Sequence, residues 1–519
     1  MEKVATDIYT FAELRQSGFT YVDKTEQLWE MASGEKGKQF FIARPRRFGK
    51  SLAVSTLKSL FEGRRELFAG LAIEPKWDWS KQWPVLHLDM GSVQYDTVEE
   101  LTSGLKSYLR AQAKLSGLTV DLADTPSNIF RDLLRALAAT AADGRCVVLI
   151  DEYDKPLLRA LGTPAVLRFR DFFRGFYSVV KTEERLQRFA FITGVSKFSK
   201  VSIFSDLNNL KDYTMHPRAA TLFGYTHEEI LKYFPNLIHA LGEANGLSFE
   251  QAYHEIIRWY DGYRFKESAP PMINPVSLGC CFDFNRISNY WSKTATPTFL
   301  VDMLRKHPLD FSTIGVSERQ LEAFEPDSPD VTTLLYQTGY LTIVGCENLD
   351  GLRYYRLDFP NREVRSSFLE FLVPAYTSTD DRRSGVAVFS AAKALYAHDV
   401  PAFLKNLKYF FQNIPYDLTD RQNEQMWQAI VYVVLKAIGM TVDAEVRTFD
   451  GRIDMTCETP SDNYIIEFKL DRPAAEAMAQ IRGKDYAAHF AASRKRLTLI
   501  AISFSSEKRT IVEELVEEA

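Results

Sequence analysis

QFFIARPRRFGKSL, residues 39–52, runs from an apolar, strand-forming stretch through a basic loop into a helical pattern. Gly49-Lys50-Ser51 is the end of the phosphate-loop pattern G-x-x-x-x-G-K-[ST], with Arg44 where that pattern has its first glycine. The chemistry accounts for the spacing. A strand delivers the loop, backbone N–H groups over Arg47, Phe48, Gly49, Lys50 and Ser51 turn inward, and the next helix adds its positive dipole end. The Lys50 ammonium then reaches the outer phosphates of a nucleoside triphosphate, and the Ser51 hydroxyl becomes a Mg²⁺ ligand. A basic loop before any helix can carry the same triplet by chance, so a second element has to decide.

That element is CVVLIDEYDKP, residues 146–156, an apolar strand ending in two acids. Asp151 reads as the Mg²⁺-side carboxylate and Glu152 as the base that orients water. The bland alternative is a solvated acidic turn after a buried strand. The order strand–loop–helix, then strand–Asp-Glu, favours nucleotide binding. A third strand, RFAFITGVSKFSK (188–200), is expected between the other two. Its polar end, Thr193, Ser196 and Lys197, could sense the γ-phosphate, and Ser196 is the candidate ligand; hydroxyls capping the next turn are the alternative. With PVLHLDM (84–90), these runs are apolar throughout and separated by helical patterns, which predicts a parallel α/β sheet covered on both faces. Tyr21, Trp77, Trp79 and Trp83 read as core packing.

Residues 231–385 are helical in pattern with scattered aromatics, and near the end TLLYQTGYLTIVG (333–345) and LRYYRLDFP (352–360) look β-like. A helical lid or winged-helix-like region is expected. TSTDDRRSG (377–385) is a polar bridge suited to a boundary. Beyond it the pattern predicts a helix (421–440), strands at 443–448, 452–458 and 463–470, a helix (474–490), a strand (496–505) and a helix, EKRTIVEELVEEA (507–519).

Asp454 lies in the second and Glu467 in the third of those strands, thirteen residues apart, enough for a strand, a turn and the next strand. Glu467 and Lys469 are two apart and share a face. Two carboxylates make a hard-oxygen site for Mg²⁺ or Mn²⁺, and Lys469 can position water or stabilise charge on a phosphate. Glu424 on the preceding helix and Gln480 on the following one join as flanking members. A surface ion pair is the ordinary alternative. However, Ile465, Ile466 and Phe468 make this strand too apolar for an edge, and inward charges there need compensation.

Composition sets limits. The 519 residues suggest about three domains. The net charge of -5, from 63 Lys+Arg against 68 Asp+Glu, excludes a uniformly basic coat but leaves room for a local basic groove. Five scattered cysteines and eight histidines show no metal-ligand spacing. No apolar run approaches the ~18 residues of a membrane span. A cytoplasmic protein with no membrane partner is expected.

Taken together, YVDKT (21–25), RPRRFGKSL (44–52), LIDEYDKP (149–156), ITGVSKFSKVSIFSDLNNL (192–210), FGYT (223–226), WYDGYRF (259–265), YWSKTATPTFL (290–300) and GRID…YIIEFKL (451–470) make the chain similar to a bacterial family. It resembles AAA-ATPase-like proteins with a C-terminal PD-(D/E)XK nuclease-superfamily domain. The resemblance implies a P-loop NTPase domain over 1–230, a lid or winged-helix-like region over 231–385 and a nuclease-like α/β domain over 386–519. It places Arg44 within the family's own loop pattern, and Ile453 where the superfamily's name has proline. It implies ATP and Mg²⁺ as cofactors and a nucleic-acid partner, DNA ahead of RNA, with homo-oligomerisation left open. Carried over, Lys50, Ser51, Asp151 and Glu152 match the ATPase residues, and Asp454, Glu467 and Lys469 the nuclease triad. The implied activity is nucleotide-controlled phosphodiester cleavage in defence or mobile-element biology. The alternative is an ATP-driven switch whose nuclease-like domain only docks nucleic acid or protein.

Overall fold

The computed structural model describes residues 2–93, 95–121, 123–198, 209–291, 303, 314–368, 390–391, 393–412, 431, 435, 440–448, 451–484, 486–490, 493–508 and 510–519. They form two compact units, Met1–Tyr290 with Gly315–Asn361, and Trp291–Ile314 with Arg362–Ala519.

The first unit is built on five strands, β1 (Gln39–Ala43), β2 (Val85–Asp89), β3 (Cys146–Asp151), β4 (Gln187–Gly194) and β5 (Lys211–Asp212), ordered β2-β3-β4-β1-β5. Every pairing is parallel. The expected order holds: β4 lies between the loop-bearing β1 and the acid-bearing β3. β1 and β3 are buried along their whole length, as their uninterrupted apolar runs require.

Helices cover the sheet. α1 (Lys50–Phe61) leaves the phosphate loop and buries Val54, Leu57, Leu60 and Phe61. Trp77 and Trp83 pack edge-on against Phe61, at 5.4 and 5.9 Å between centroids, so they are core. α2 (Val98–Leu115) and α3 (Pro126–Thr140) start where Thr97 and Thr125 hydroxyls accept from backbone N–H groups. α4 (Val166–Thr182) buries Phe169, Phe173 and Phe176.

The helical region that follows packs Ile230, Phe234, Ile238, Leu241, Ile256 and Tyr260 into a core of its own. Its helices α5 (His227–Tyr233) and α7 (Phe249–Tyr260) open on capping boxes, and α6 (Pro235–Asn245) lies between them. A winged-helix-like set ends the unit. β6 (Gly315–Ser317) and helices α8 (Glu318–Glu322) and α9 (Val331–Thr338) precede the hairpin β7 (Thr342–Leu349) and β8 (Leu352–Asp358), in sheet order β6-β8-β7. TLLYQT, expected to be β-like, is the body of α9. Asp330 caps its N-terminus and Gly339 (φ +90°) closes it, so the strand starts only after that turn.

The second unit is a five-stranded sheet ordered β13-β12-β11-β10-β9. Its strands are β9 (Thr441–Thr448), β10 (Gly451–Glu458), β11 (Asp462–Leu470), β12 (Arg496–Ser505) and β13 (Thr510–Glu518), with only β11 and β12 parallel. α10 (Val400–Gln412) sends Phe411 to within 4.9 Å of Phe504 on one face, where Phe504 also stacks on Phe468. On the other face α11 (Ala474–Gly483) packs Ala477, Met478 and Ile481 against Ile453, Ile465, Leu499 and Ala501.

Two expectations fail here. The helix over 474–490 stops at Gly483 and resumes as a 3₁₀ turn, Tyr486–Phe490. EKRTIVEELVEEA is not a helix: Thr510–Glu518 is an edge strand antiparallel to β12. Pairing overrides its glutamate-rich helical pattern, because β12 satisfies its backbone, while Glu513 accepts from the Ala474 N–H and Glu514 meets Lys408 at 2.7 Å. The helix over 421–440 and the bridge 377–385 lie outside the described residues, apart from helical Val431 and Leu435 and the non-helical Met440.

The glycine of WYDGYRF shows why that motif is built as it is. Gly262 has φ +115°, and a Cβ there would collide with the Pro360 carbonyl. Gly262→Ala is expected to destabilise the first unit by about 2 kcal/mol or more, read as a lowered thermal midpoint.

Candidate nucleotide and metal sites

The loop after β1 turns on two left-handed residues, Arg47 (φ +67°) and Gly49 (φ +93°). Arg44, at the place of the pattern's first glycine, is 1% exposed. Its guanidinium donates to the carbonyls of Ala43 (2.8 Å), Thr214 (2.6 Å) and Ala219 (2.9 Å), and lies 4.2 Å from the Phe265 ring centroid. Burial draws its pKa down to about 10. Arg44 therefore braces the loop from beneath, which is why no glycine is needed there. Phe48 is buried edge-on against Tyr263 and Phe265, at 4.8 and 5.2 Å, and Arg47 donates to the Tyr290 carbonyl.

Inside the loop the Lys50 ammonium donates to the carbonyls of Arg44 (2.9 Å) and Pro45 (2.8 Å). An ammonium has three donors, so one is left for a phosphate oxygen. Burial draws Lys50 down to about 8, against the pull of Asp151, Asp154 and Glu152. The Ser51 hydroxyl bonds to Asp151, whose carboxyl is pushed up by burial and held back by Ser51 and Lys50. A buried carboxylate joined to a hydroxyl is a hard-oxygen donor set that fits Mg²⁺.

Glu152 adopts φ +50°, a left-handed backbone at a non-glycine residue. Its side chain meets Lys155 at 2.7 Å. Gly91, just beyond β2, makes room, since any Cβ there would collide with the Glu152 carboxylate.

The β4 end divides its roles. Thr193 donates to the Ile42 carbonyl at 2.7 Å, so it ties β4 to β1. Ser196 is fully buried, and its hydroxyl finds no partner among the described residues. The Lys197 ammonium is taken up by Asp212 at 2.5 Å. The group sequence reading missed is Asp154. Its carboxylate accepts from the N–H groups of Val195 (3.0 Å) and Ser196 (2.5 Å), and burial raises it to about 6. Its place three residues after Asp151, in DEYD, was the available signal.

Beside the loop lies a cavity of about 100 Å³ lined by Tyr21, Val22, Leu28, Gly49, Leu52 and Tyr225, among others. Tyr21 packs edge-on against Phe11 at 5.0 Å.

In the second unit, neighbouring positions of β10 and β11 bring the two acids together. The Asp454 N–H donates to Glu467 Oε2 (3.2 Å), and the Phe468 N–H donates to Asp454 Oδ2 (2.9 Å). Lys469 Nζ lies 3.8 Å from Glu467 Oε1, on the shared face expected. From α11, Gln480 donates to Glu467 Oε1. Glu467 is 0% exposed. Burial and, second, the Asp454 charge push its carboxyl up to about 8, despite the Asp454 N–H, Lys469 and Lys484. Like-charged carboxylates converging in a buried place fit a divalent cation. Glu424 lies outside the described residues, and among those described no group of three or more His, Cys, Asp or Glu gathers as a metal cage. In the basic triplet, Lys495 pairs with Glu458 (2.8 Å) and Arg496 with Asp462 (2.7 Å).

The family described as "Predicted AAA-ATPase" matches residues 5–204, and the PD-(D/E)XK nuclease superfamily matches residues 422–514. An "Uncharacterized protein in vnfD 5'region" of Azotobacter chroococcum mcd 1 is 35% identical over 531 aligned positions, covering 99% of both chains. The chain belongs to the AAA-ATPase-like proteins with a C-terminal PD-(D/E)XK nuclease-superfamily domain. In this AAA-ATPase-like chain both matched segments hold the acid clusters described above. No helix among the described residues is long and apolar enough to cross a membrane.

Arg44 gives the sharpest test of the loop. Arg44→Gly, which restores the general pattern, is expected to cost about 3 kcal/mol or more, because three carbonyls lose a charged donor. It also weakens nucleotide binding; thermal melts and nucleotide titrations check both.

Proposed function

We propose that the chain is a nucleotide-controlled, metal-dependent nuclease of the cytoplasm. In this reading residues 1–230 bind and hydrolyse ATP, 231–385 respond to it, and 386–519 cleave nucleic acid, DNA ahead of RNA. The carrying observation is the buried Glu467 carboxylate facing Asp454, with Lys469 at 3.8 Å. Such a cluster costs folding energy unless a ligand compensates it. A divalent cation held by Asp454 and Glu467, with Glu424 as a further candidate, supplies Lewis acidity to a phosphodiester. Lys469 stabilises charge on the phosphate, and Gln480 fixes the Glu467 carboxylate in orientation.

At the other site, Lys50 gives its remaining N–H to the outer phosphates, Ser51 and Asp151 offer oxygens to Mg²⁺, and Glu152 orients water. The loop backbone at Arg47, Phe48 and Gly49 cradles the phosphates, and the apolar cavity beside Gly49 takes the base. Ser196, whose buried hydroxyl has no partner among the described residues, is the candidate that gains one on nucleotide binding.

Purified protein incubated with ATP, Mg²⁺ or Mn²⁺ and labelled DNA or RNA is expected to release cleavage products. Asp454→Ala should reduce cleavage about 100-fold or more, and Lys50→Ala or Glu152→Gln should abolish ATP turnover. Calorimetry should show a Mn²⁺ site that disappears in Glu467→Ala. Uncut substrates under all these conditions, with no Mn²⁺ uptake, would sink the reading.

A further inference from the structure

We propose that Lys484 is a substrate-binding residue of the C-terminal site, where its ammonium grips a phosphate of the nucleic-acid backbone beside Lys469. The inference rests on the nuclease reading above and adds a residue to its substrate grip.

Lys484 directly follows the last residue of α11, and its N–H donates to the Gln480 carbonyl at 3.1 Å. It therefore stands one helical turn beyond Gln480, the residue whose amide holds Glu467. Its ammonium lies 5.9 Å from the centroid of the Tyr486 ring, which is itself buried. An aromatic face within about 6 Å attracts a cation without neutralising it. That ring is tied to the site, because the Gln480 amide that holds Glu467 also donates to the Tyr486 hydroxyl at 3.5 Å.

The neighbouring lysines make the contrast. Lys408 meets Glu514 at 2.7 Å, Lys495 meets Glu458 at 2.8 Å and Lys469 meets Glu467 at 3.8 Å. Lys484 is also half-buried, yet its ammonium has no hydrogen bond or ion pair among the described residues. An ammonium with no acceptor bonded to it keeps all three of its donors for an incoming anion.

The two lysines then divide the work. Lys469 is turned inward, donating to the Phe468 carbonyl at 3.0 Å and facing Glu467, with only 10% of its side chain exposed. Lys484 is more open and uncommitted, so it meets an incoming phosphate first. The fitting ligand is a polynucleotide phosphodiester, because each neutralised phosphate releases a counterion and gives a salt-dependent contact.

The test uses the full chain. In the non-cleaving Asp454→Ala background with EDTA, binding of a fluorescein-labelled DNA duplex is followed by anisotropy across a NaCl series. Adding Lys484→Gln should weaken binding about 5- to 10-fold and reduce the salt slope by about one contact, and Lys484→Arg should restore both. In the cleaving protein the loss should appear in KM rather than kcat. Unchanged slope and KM in a Lys484→Gln protein with an unaltered melting curve would overturn the inference while leaving the nuclease reading intact. Failure of the wild type to cleave any substrate would instead overturn that reading, and this inference with it.

Discussion

Asp154 takes the N–H groups of Val195 and Ser196 at 3.0 and 2.5 Å, while Lys50 stands near enough to lower its carboxyl. That junction joins the ends of three parallel strands: β1 through the loop, β3 through Asp154 and β4 through residues 195 and 196. A buried carboxylate has to be answered by donors or cations close by. Here the donors are backbone N–H groups and the cation is the lysine of the phosphate loop. Gly194 belongs to the same constraint, since any Cβ there would collide with the Asp154 carboxylate. The geometry of the nucleotide site thus follows from neutralising charge at strand ends.

The loop is held from its other side by aromatic packing. Phe48 lies between Tyr263 and Phe265, the Arg44 guanidinium covers Phe265, and the Gly224 N–H donates to the Phe48 carbonyl at 3.2 Å. These contacts come from FGYT and WYDGYRF, far along the chain from the loop. A loop with one left-handed arginine and one left-handed glycine is held in one shape by this packing. It is also why the basic residues of RPRRFGKS are not interchangeable: Arg44 is interior, and Arg47 bonds a distant carbonyl.

The second unit solves a similar problem with fewer groups. Glu467 sits on the central strand with an amide and a lysine for partners and a second carboxylate opposite. Ile465, Ile453 and Met478 pack around the shared face, which keeps the carboxyl out of water and raises it to about 8. Two carboxylates brought together in a buried place work against folding unless positive or donor groups answer them, as Lys469 and Gln480 do here.

The sequence alone determined the parts whose signal is local. Uninterrupted apolar runs marked β1, β3 and β4 as buried parallel strands, and residues two apart on β11 put Glu467 and Lys469 on one face. Gly-Lys-Ser after a strand and Asp-Glu at the end of another marked the ATPase-like part for the same reason. Tertiary structure decided what depends on distant partners. Arg44 is a brace because Thr214, Ala219 and Phe265 surround it, and Asp154 matters because β4 ends beside it. Residues 510–518 form a strand because β12 offers an open edge, which outweighs a pattern that reads as helix when taken alone.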